Sequence, residues 1–205
     1  VTLGYTARVE SDSSVWGYNT EFAMNTSSGV GNDLLSYQTE DPRIQTTRWK
    51  ALRAGINYTT NFAEKWLWGV RSQFQYSPDI LISGEQFGIG GSTSVRGTRS
   101  ERPIAGDRGV SASLEVTTPE LAPGLRVVGF LDAGWLANNN PNGISKPSSD
   151  RLAGVGLGLR FGSGPVSVTA DYGRLVRGSV VPLTINTGSP QKGDDKLYVN
   201  MSVRF

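Results

Sequence analysis

The chain has 205 residues, 20 Lys and Arg against 18 Asp and Glu, a formal charge of +2, and neither cysteine nor histidine. Those absences exclude a disulfide scaffold, thiolate metal sites, and Ser-His-Asp or Cys-His catalysis. The near-balanced charge offers no basic surface for nucleic acid. No window approaches 18 apolar residues, so no transmembrane helix is expected. No charged-then-apolar leader is visible, and Val1 reads as the start of a mature or trimmed chain. Mean hydropathy is −0.28, which is compatible with a β-barrel, because a membrane strand needs only every second residue apolar.

Period-two alternation runs through the chain and predicts nine strands. The first, about 1–10, aligns Val1, Leu3, Tyr5, Ala7 and Val9 on one face. The second, about 14–27, aligns Trp16, Tyr18, Phe22 and Met24; the third, about 48–61, Leu52, Ala54, Ile56 and Tyr58. The fourth, about 64–77, sets Trp66, Trp68, Val70, Phe74 and Tyr76 against Lys65, Arg71, Gln73 and Gln75. The fifth, about 109–118, opposes Val110, Ala112, Leu114 and Val116 to Ser111, Ser113, Glu115 and Thr117. In the sixth, about 125–137, Leu125, Val127, Leu131 and Trp135 oppose Arg126, Phe130 and Asp132. In the seventh, about 150–162, Ala153, Val155, Leu157, Leu159 and Phe161 oppose Gly154, Gly156, Gly158 and Arg160. In the eighth, about 165–177, Val166, Val168, Ala170 and Tyr172 oppose Ser167, Thr169 and Asp171; in the ninth, about 195–205, Leu197, Val199, Met201, Val203 and Phe205 oppose Lys196, Tyr198, Asn200, Ser202 and Arg204.

Strands of this length exceed the 5–6 residues usual in soluble proteins and suit a tilted strand crossing a bilayer, which needs about 9–11. Short connections (10–13, 61–64, 119–124, 162–165) alternate strictly with long ones (28–47, 78–108, 138–149, 178–194). Outer-membrane barrels separate tight periplasmic turns from long external loops in this way. Single-chain bacterial barrels have even strand counts, so nine strands read as the C-terminal part of a larger barrel. Trp16, Trp66, Trp68 and Trp135, outward near strand ends, read as interfacial girdle residues.

The 31-residue connection 78–108 would be floppy unless anchored. Gly88, Gly90, Gly91 and Gly97 let its backbone turn back and approach a wall. Arg96 near its tip needs a partner in a confined space. Asp132 has inward parity, and the inward column Gly154, Gly156 and Gly158 on the next strand leaves room beside it. Those glycines also fit bends in a curved sheet. An Arg96–Asp132 pair, directional and bidentate, is therefore expected to hold the loop.

Three segments carry a family resemblance: Phe87 to Gly97, ending in Val95-Arg96-Gly97 and followed by Gly106-Asp107-Arg108-Gly109; Gly129 to Gly134, with Asp132; and the C-terminal run ending Arg204-Phe205. Together they resemble the outer-membrane transporters of two-partner secretion, the TpsB family of ShlB, FhaC and HecB type. The resemblance implies an all-β, transmembrane antiparallel barrel of sixteen strands, of which residues 1–205 would supply the C-terminal nine, with 78–108 folding inward as the signature external loop. Five predicted strands follow that loop here, as in the family. The family's plug helix and POTRA domains lie outside this sequence. Where the family usually has an aromatic residue after Val-Arg-Gly, this chain has Thr98.

The resemblance further implies that Val95, Arg96, Gly97 and Asp132 form a lock, and that Gly88, Gly90, Gly91, Gly106, Asp107 and Gly109 shape the loop. It marks Tyr198 and Phe205 as part of a barrel-insertion signal. The implied protein is a monomeric pore in the Gram-negative outer membrane, inserted by the barrel-assembly machinery. It would export a secreted passenger of TpsA type, a haemagglutinin, haemolysin or adhesin, without cofactor, metal or enzymatic chemistry. A barrel-assembly factor of the same superfamily is the nearest alternative, and a passive porin or outer-membrane enzyme a more distant one. Gly88-Ile89-Gly90-Gly91 lacks the lysine and following helix of a phosphate loop. The acidic pairs Glu40/Asp41 and Asp194/Asp195 read as solvated loop residues, with calcium binding the competing possibility.

Overall fold

A computed structural model describes all residues except Ser27, Glu64 and Phe205. Alternating apolar and polar residues generate long strands, and the short turns between them leave antiparallel neighbours as the simplest pairing. The strands are β1 (Thr2–Glu10), β2 (Ser14–Met24), β3 (Lys50–Phe62) and β4 (Trp66–Tyr76), then β5 (Phe87–Ile89) and β6 (Ile104–Gly106), then β7 (Arg108–Thr117), β8 (Leu125–Ala137), β9 (Ser149–Ser163), β10 (Val166–Arg177) and β11 (Asp195–Val203). All but β5 and β6 form one nine-stranded antiparallel sheet in chain order. Strands β5 and β6 pair with each other as a small separate hairpin inside the connection between β4 and β7.

The predicted strands all form, with shifted ends. The second stops at Met24 rather than near residue 27, because the Asn25 amide turns the chain aside by donating to Asn32, Tyr37 and the Thr47 carbonyl. The connection that follows holds a helix absent from the sequence expectation, α1 (Leu34–Glu40). Asp33 caps it, accepting the Ser36 N–H at 2.9 Å. The β5–β6 hairpin was likewise not anticipated. Phe205, expected to end the last strand and to belong to an insertion signal, lies outside the described residues.

One sheet face carries exposed apolar side chains along its whole width, among them Leu3, Phe22, Ile56, Phe74, Leu131, Leu157, Leu197 and Met201. A contiguous apolar surface of this extent marks contact with lipid or a partner. At the short-turn end its aromatics cluster: Trp16 lies 4.1 Å from Tyr58, and Tyr58 lies 5.4 Å from Trp68. Trp135 stands near the opposite end, two residues before β8 stops.

The other face is covered by the long connection. Its residues Phe87, Ile89, Val95 and Ile104 form one apolar cluster with Leu136, Leu152 and Leu175 of the wall. Leu136, Leu152 and Leu175 therefore interrupt the uniformly polar inner face that alternation suggested, and the loop shields them from water.

Candidate functional site

The loop reaches the wall at its tip because two glycines reverse its backbone. Gly90 and Gly91 adopt φ values of +115° and +80°, and Gly97 one of +108°, which side-chain-bearing residues rarely adopt. The Ser94 hydroxyl closes the turn, accepting from the Gly90 N–H and donating to the Gly90 carbonyl, each at 2.8 Å. Thr98 fills the position after Gly97 with no exposed surface. Its hydroxyl accepts the Gly91 N–H at 2.6 Å and donates to the Ser100 carbonyl at 3.0 Å.

Arg96 is 2% exposed and Asp132 3%. Nε of Arg96 donates to one oxygen of Asp132 at 2.8 Å and Nη2 to the other at 2.9 Å, and the Arg96 backbone N–H adds a third bond at 3.0 Å. Ser113 of β7 stands between the two, accepting from Nη2 at 3.0 Å and donating to Asp132 at 2.7 Å. The guanidinium lies over the Phe130 ring, 3.4 Å from its centroid. Nη1, which Asp132 does not reach, meets Glu115 of β7 at 2.7 Å and Asp171 of β10 at 3.4 Å. Asp171 is itself held by Arg160 of β9 at 2.5 and 3.1 Å. Every nitrogen of this buried cation is thus paired, as burial of a charge requires.

The glycine column makes this approach possible. A Cβ on Gly154 would strike the Arg96 carbonyl oxygen, one on Gly156 the Phe130 ring, and one on Gly158 the Asp171 carboxylate. Gly106 and Gly109 sit where side chains would press on β8 and on Phe87, and Gly88 lies against Arg102. Asp107 is fully buried at the base of the loop. It accepts the N–H groups of Leu81 at 2.8 Å and Asn139 at 2.7 Å. Burial raises its carboxyl above the usual range, against the pull of those two N–H donors.

Tyr198 faces inward on β11, and its hydroxyl accepts the Gly97 N–H at 3.2 Å and donates to the Thr98 carbonyl at 2.9 Å. Sequence reasoning placed Glu115, Ser113, Phe130 and Asp171 on inward faces without assigning them to the arginine, and passed over Gly173. Their shared parity was the available signal. The acidic loop pairs are engaged internally: Glu40 accepts the Ser83 N–H at 2.7 Å, Asp41 pairs with Arg43 at 2.6 Å, Asp194 accepts the Gln191 N–H at 2.8 Å, and Asp195 accepts the Tyr172 hydroxyl at 2.8 Å.

Long antiparallel strands, apolar outside and covered inside by an ion-paired loop, define the wall of an outer-membrane β-barrel. The profile of the haemolysin secretion/activation protein family ShlB/FhaC/HecB matches residues 6–161, and the chain belongs to that family. Its location is accordingly the outer membrane of a Gram-negative bacterium. The chain is 36% identical over 107 residues to the outer membrane transporter CdiB of Escherichia coli O6:K15:H31 (strain 536 / UPEC), a stretch covering 49% of this chain and 17% of that protein. Among solved structures, CdiB from Escherichia coli superposes over 100% of this chain and 36% of its own, with a TM-score of 0.76 and 23% identity. CdiB from Acinetobacter baumannii superposes over 99% and 33%, with a TM-score of 0.70 and 20% identity. The chain therefore spans only a minor part of the length of these relatives.

Proposed function

We propose that this chain is the C-terminal wall of a two-partner secretion pore that passes a large exoprotein of TpsA type from periplasm to cell surface. The passenger would be a haemagglutinin, haemolysin or adhesin. The observation behind this reading is the burial of Arg96 in a bidentate pair with Asp132 on the inner wall. A loop that only decorated the surface would gain nothing from such a pair, which ties it across the space a passenger must use. Glu115, Asp132 and Asp171 lie on three different strands and all contact the guanidinium. The tip can shift along the wall by exchanging carboxylates, so that the cation is never left buried without a partner. The work is mechanical and electrostatic, with no covalent step.

The test is secretion and single-channel conductance of the full-length protein carrying Arg96→Ala. Export should fall and conductance should change, while the amount of folded barrel in the membrane stays near that of the parent. Export and conductance both at parental levels would overturn the assignment of the loop. Loss of other outer-membrane barrels from the cell, with passenger export intact, would point instead to a barrel-assembly factor.

A further inference from the structure

We infer that the outer wall of β7–β10 holds a binding site for the phosphorylated glycolipid of the outer leaflet, lipid A. The site is independent of the secretion reading and rests on the outward-facing residues alone.

Cross-strand register sets the outer surface in rows. Val110, Trp135 and Arg151 form one row across β7, β8 and β9. Ala112, Ala133 and Ala153 form the next row toward the membrane centre, and Arg177 of β10 pairs with Ala153. Small side chains between larger ones leave a groove of about 470 Å³, lined by these residues together with Arg151 and Arg177. Arg108 pairs with Ala137 one row further out, so it shares the outer face, and its buried Nε has no hydrogen-bond partner among the described residues. Neither Arg108 nor Arg151 nor Arg177 forms a salt bridge among the described residues.

The height of these cations along the membrane normal identifies their ligand. From Leu125 at the short-turn end of β8 to Trp135 is about ten residues, or about 33 Å of strand and about 25 Å along the normal at a tilt of about 40°. That is the thickness of the apolar band, so the arginines stand at the external interface. An arginine on the lipid face is costly at the midplane and tolerated at the interface, where guanidinium groups bind phosphate in forked geometry. Arg151 and Arg108 lie on alternate strands and one row apart, about 12 Å between their backbones, a gap that two long side chains close from both sides. Beneath them the alanine row opens the furrow, and past the row of Leu114, Leu131 and Val155 a second hollow at Gly129, between Val116 and Leu157, continues it for an acyl chain. Arginine without a carboxylate partner above an apolar furrow matches a molecule that is anionic at its head and hydrocarbon below.

The full-length protein, extracted in mild detergent, would be delipidated stepwise and examined by native mass spectrometry during titration with lipid A, with lipid A stripped of its phosphates, and with phosphatidylglycerol. The parent should retain lipid A. Retention should fall at least tenfold in R151Q/R177Q and recover in part in R151K/R177K. Filling the groove by Ala133→Trp, with all arginines intact, should lower it as well. The phosphate-free form should not displace bound lipid A. The loop variant Arg48→Gln should behave as the parent, and heat-modifiable migration checks that each barrel is folded. Equal retention by R151Q/R177Q, an equal loss in Arg48→Gln, or phosphatidylglycerol held as firmly as lipid A would overturn the site.

Discussion

Gly173 on β10 faces Arg96 so closely that a Cβ added there would stand 2.8 Å from the arginine's own Cβ. The tip of the loop is thus seated against backbone, and backbone cannot yield as a flexible side chain can. Gly173→Val is expected to unseat the tip at an overpacking cost of about 1–3 kcal/mol. A spin label at exposed Ser92 should gain mobility. Outward-facing Gly129, whose nearest neighbour would lie 4.0 Å from an added Cβ, supplies the control: Gly129→Ala should leave the label as it is in the parent.

Removal of Asp132 alone does not strand the Arg96 charge, because Glu115 and Asp171 remain within 2.7 and 3.4 Å of Nη1. Breaking an isolated buried pair costs about 3–5 kcal/mol. Asp132→Ala should therefore cost less than that, and the double variant Asp132→Ala/Glu115→Gln more than the sum of its parts. Denaturant titration of loop release, read from the same label, measures the difference. Strict additivity would show that the carboxylates do not share the cation.

Tyr198 and Phe205 can be separated by what they lose. Tyr198→Phe keeps the ring and deletes the hydroxyl that joins Gly97 and Thr98. Loss of the two bonds should loosen the tip by about 1–3 kcal/mol, with normal amounts of protein in the membrane. Deletion of Phe205 should instead lower the amount inserted. Immunodetection of folded barrel against label mobility distinguishes the two effects.

Acid should act in opposite senses on two loop anchors. Hydrogen bonds from Ser83 hold the Glu40 carboxyl below its usual range, so its contribution is present above about pH 4.5 and is lost as pH falls through the depressed value. The group is largely exposed, and the effect should be small. Asp107 is raised by burial, so the native state binds its proton over the window between the ordinary and raised values. The cost of its charge grows as pH rises through that window, and acid relieves it. Hydrogen-exchange protection, corrected for intrinsic rates, should fall at Ser83 as pH drops through the depressed Glu40 value, while at Leu81 and Asn139 it should hold or rise as Asp107 takes up its proton. Glu40→Gln should remove the first change.

Much of the wall was legible because its cause is local. Alternation at period two is visible wherever one face meets lipid and the other does not, and it places Asp132, Gly154, Gly156 and Gly158 on one side. Helix α1 and the β5–β6 hairpin were not legible. Each is short, and neither has a periodic pattern long enough to stand out from the polar connection around it. The inward Leu136, Leu152 and Leu175 were read past because their apolar partners lie in the loop, far along the chain.

The sequence by itself determined which residues turn toward lipid, which end of each strand bears the long loops, and the glycine-rich segment able to fold back. Alternation and connection length are properties of neighbouring residues and need no fold to be read. Only the tertiary structure decided that Arg96 answers to Glu115, Ser113, Phe130 and Asp171 as well as to Asp132, and that Arg151 and Arg177 line one groove with Arg108 a row further out. Those meetings depend on the register of four strands and on a loop crossing them, and register is set by packing over distances that no local pattern spans.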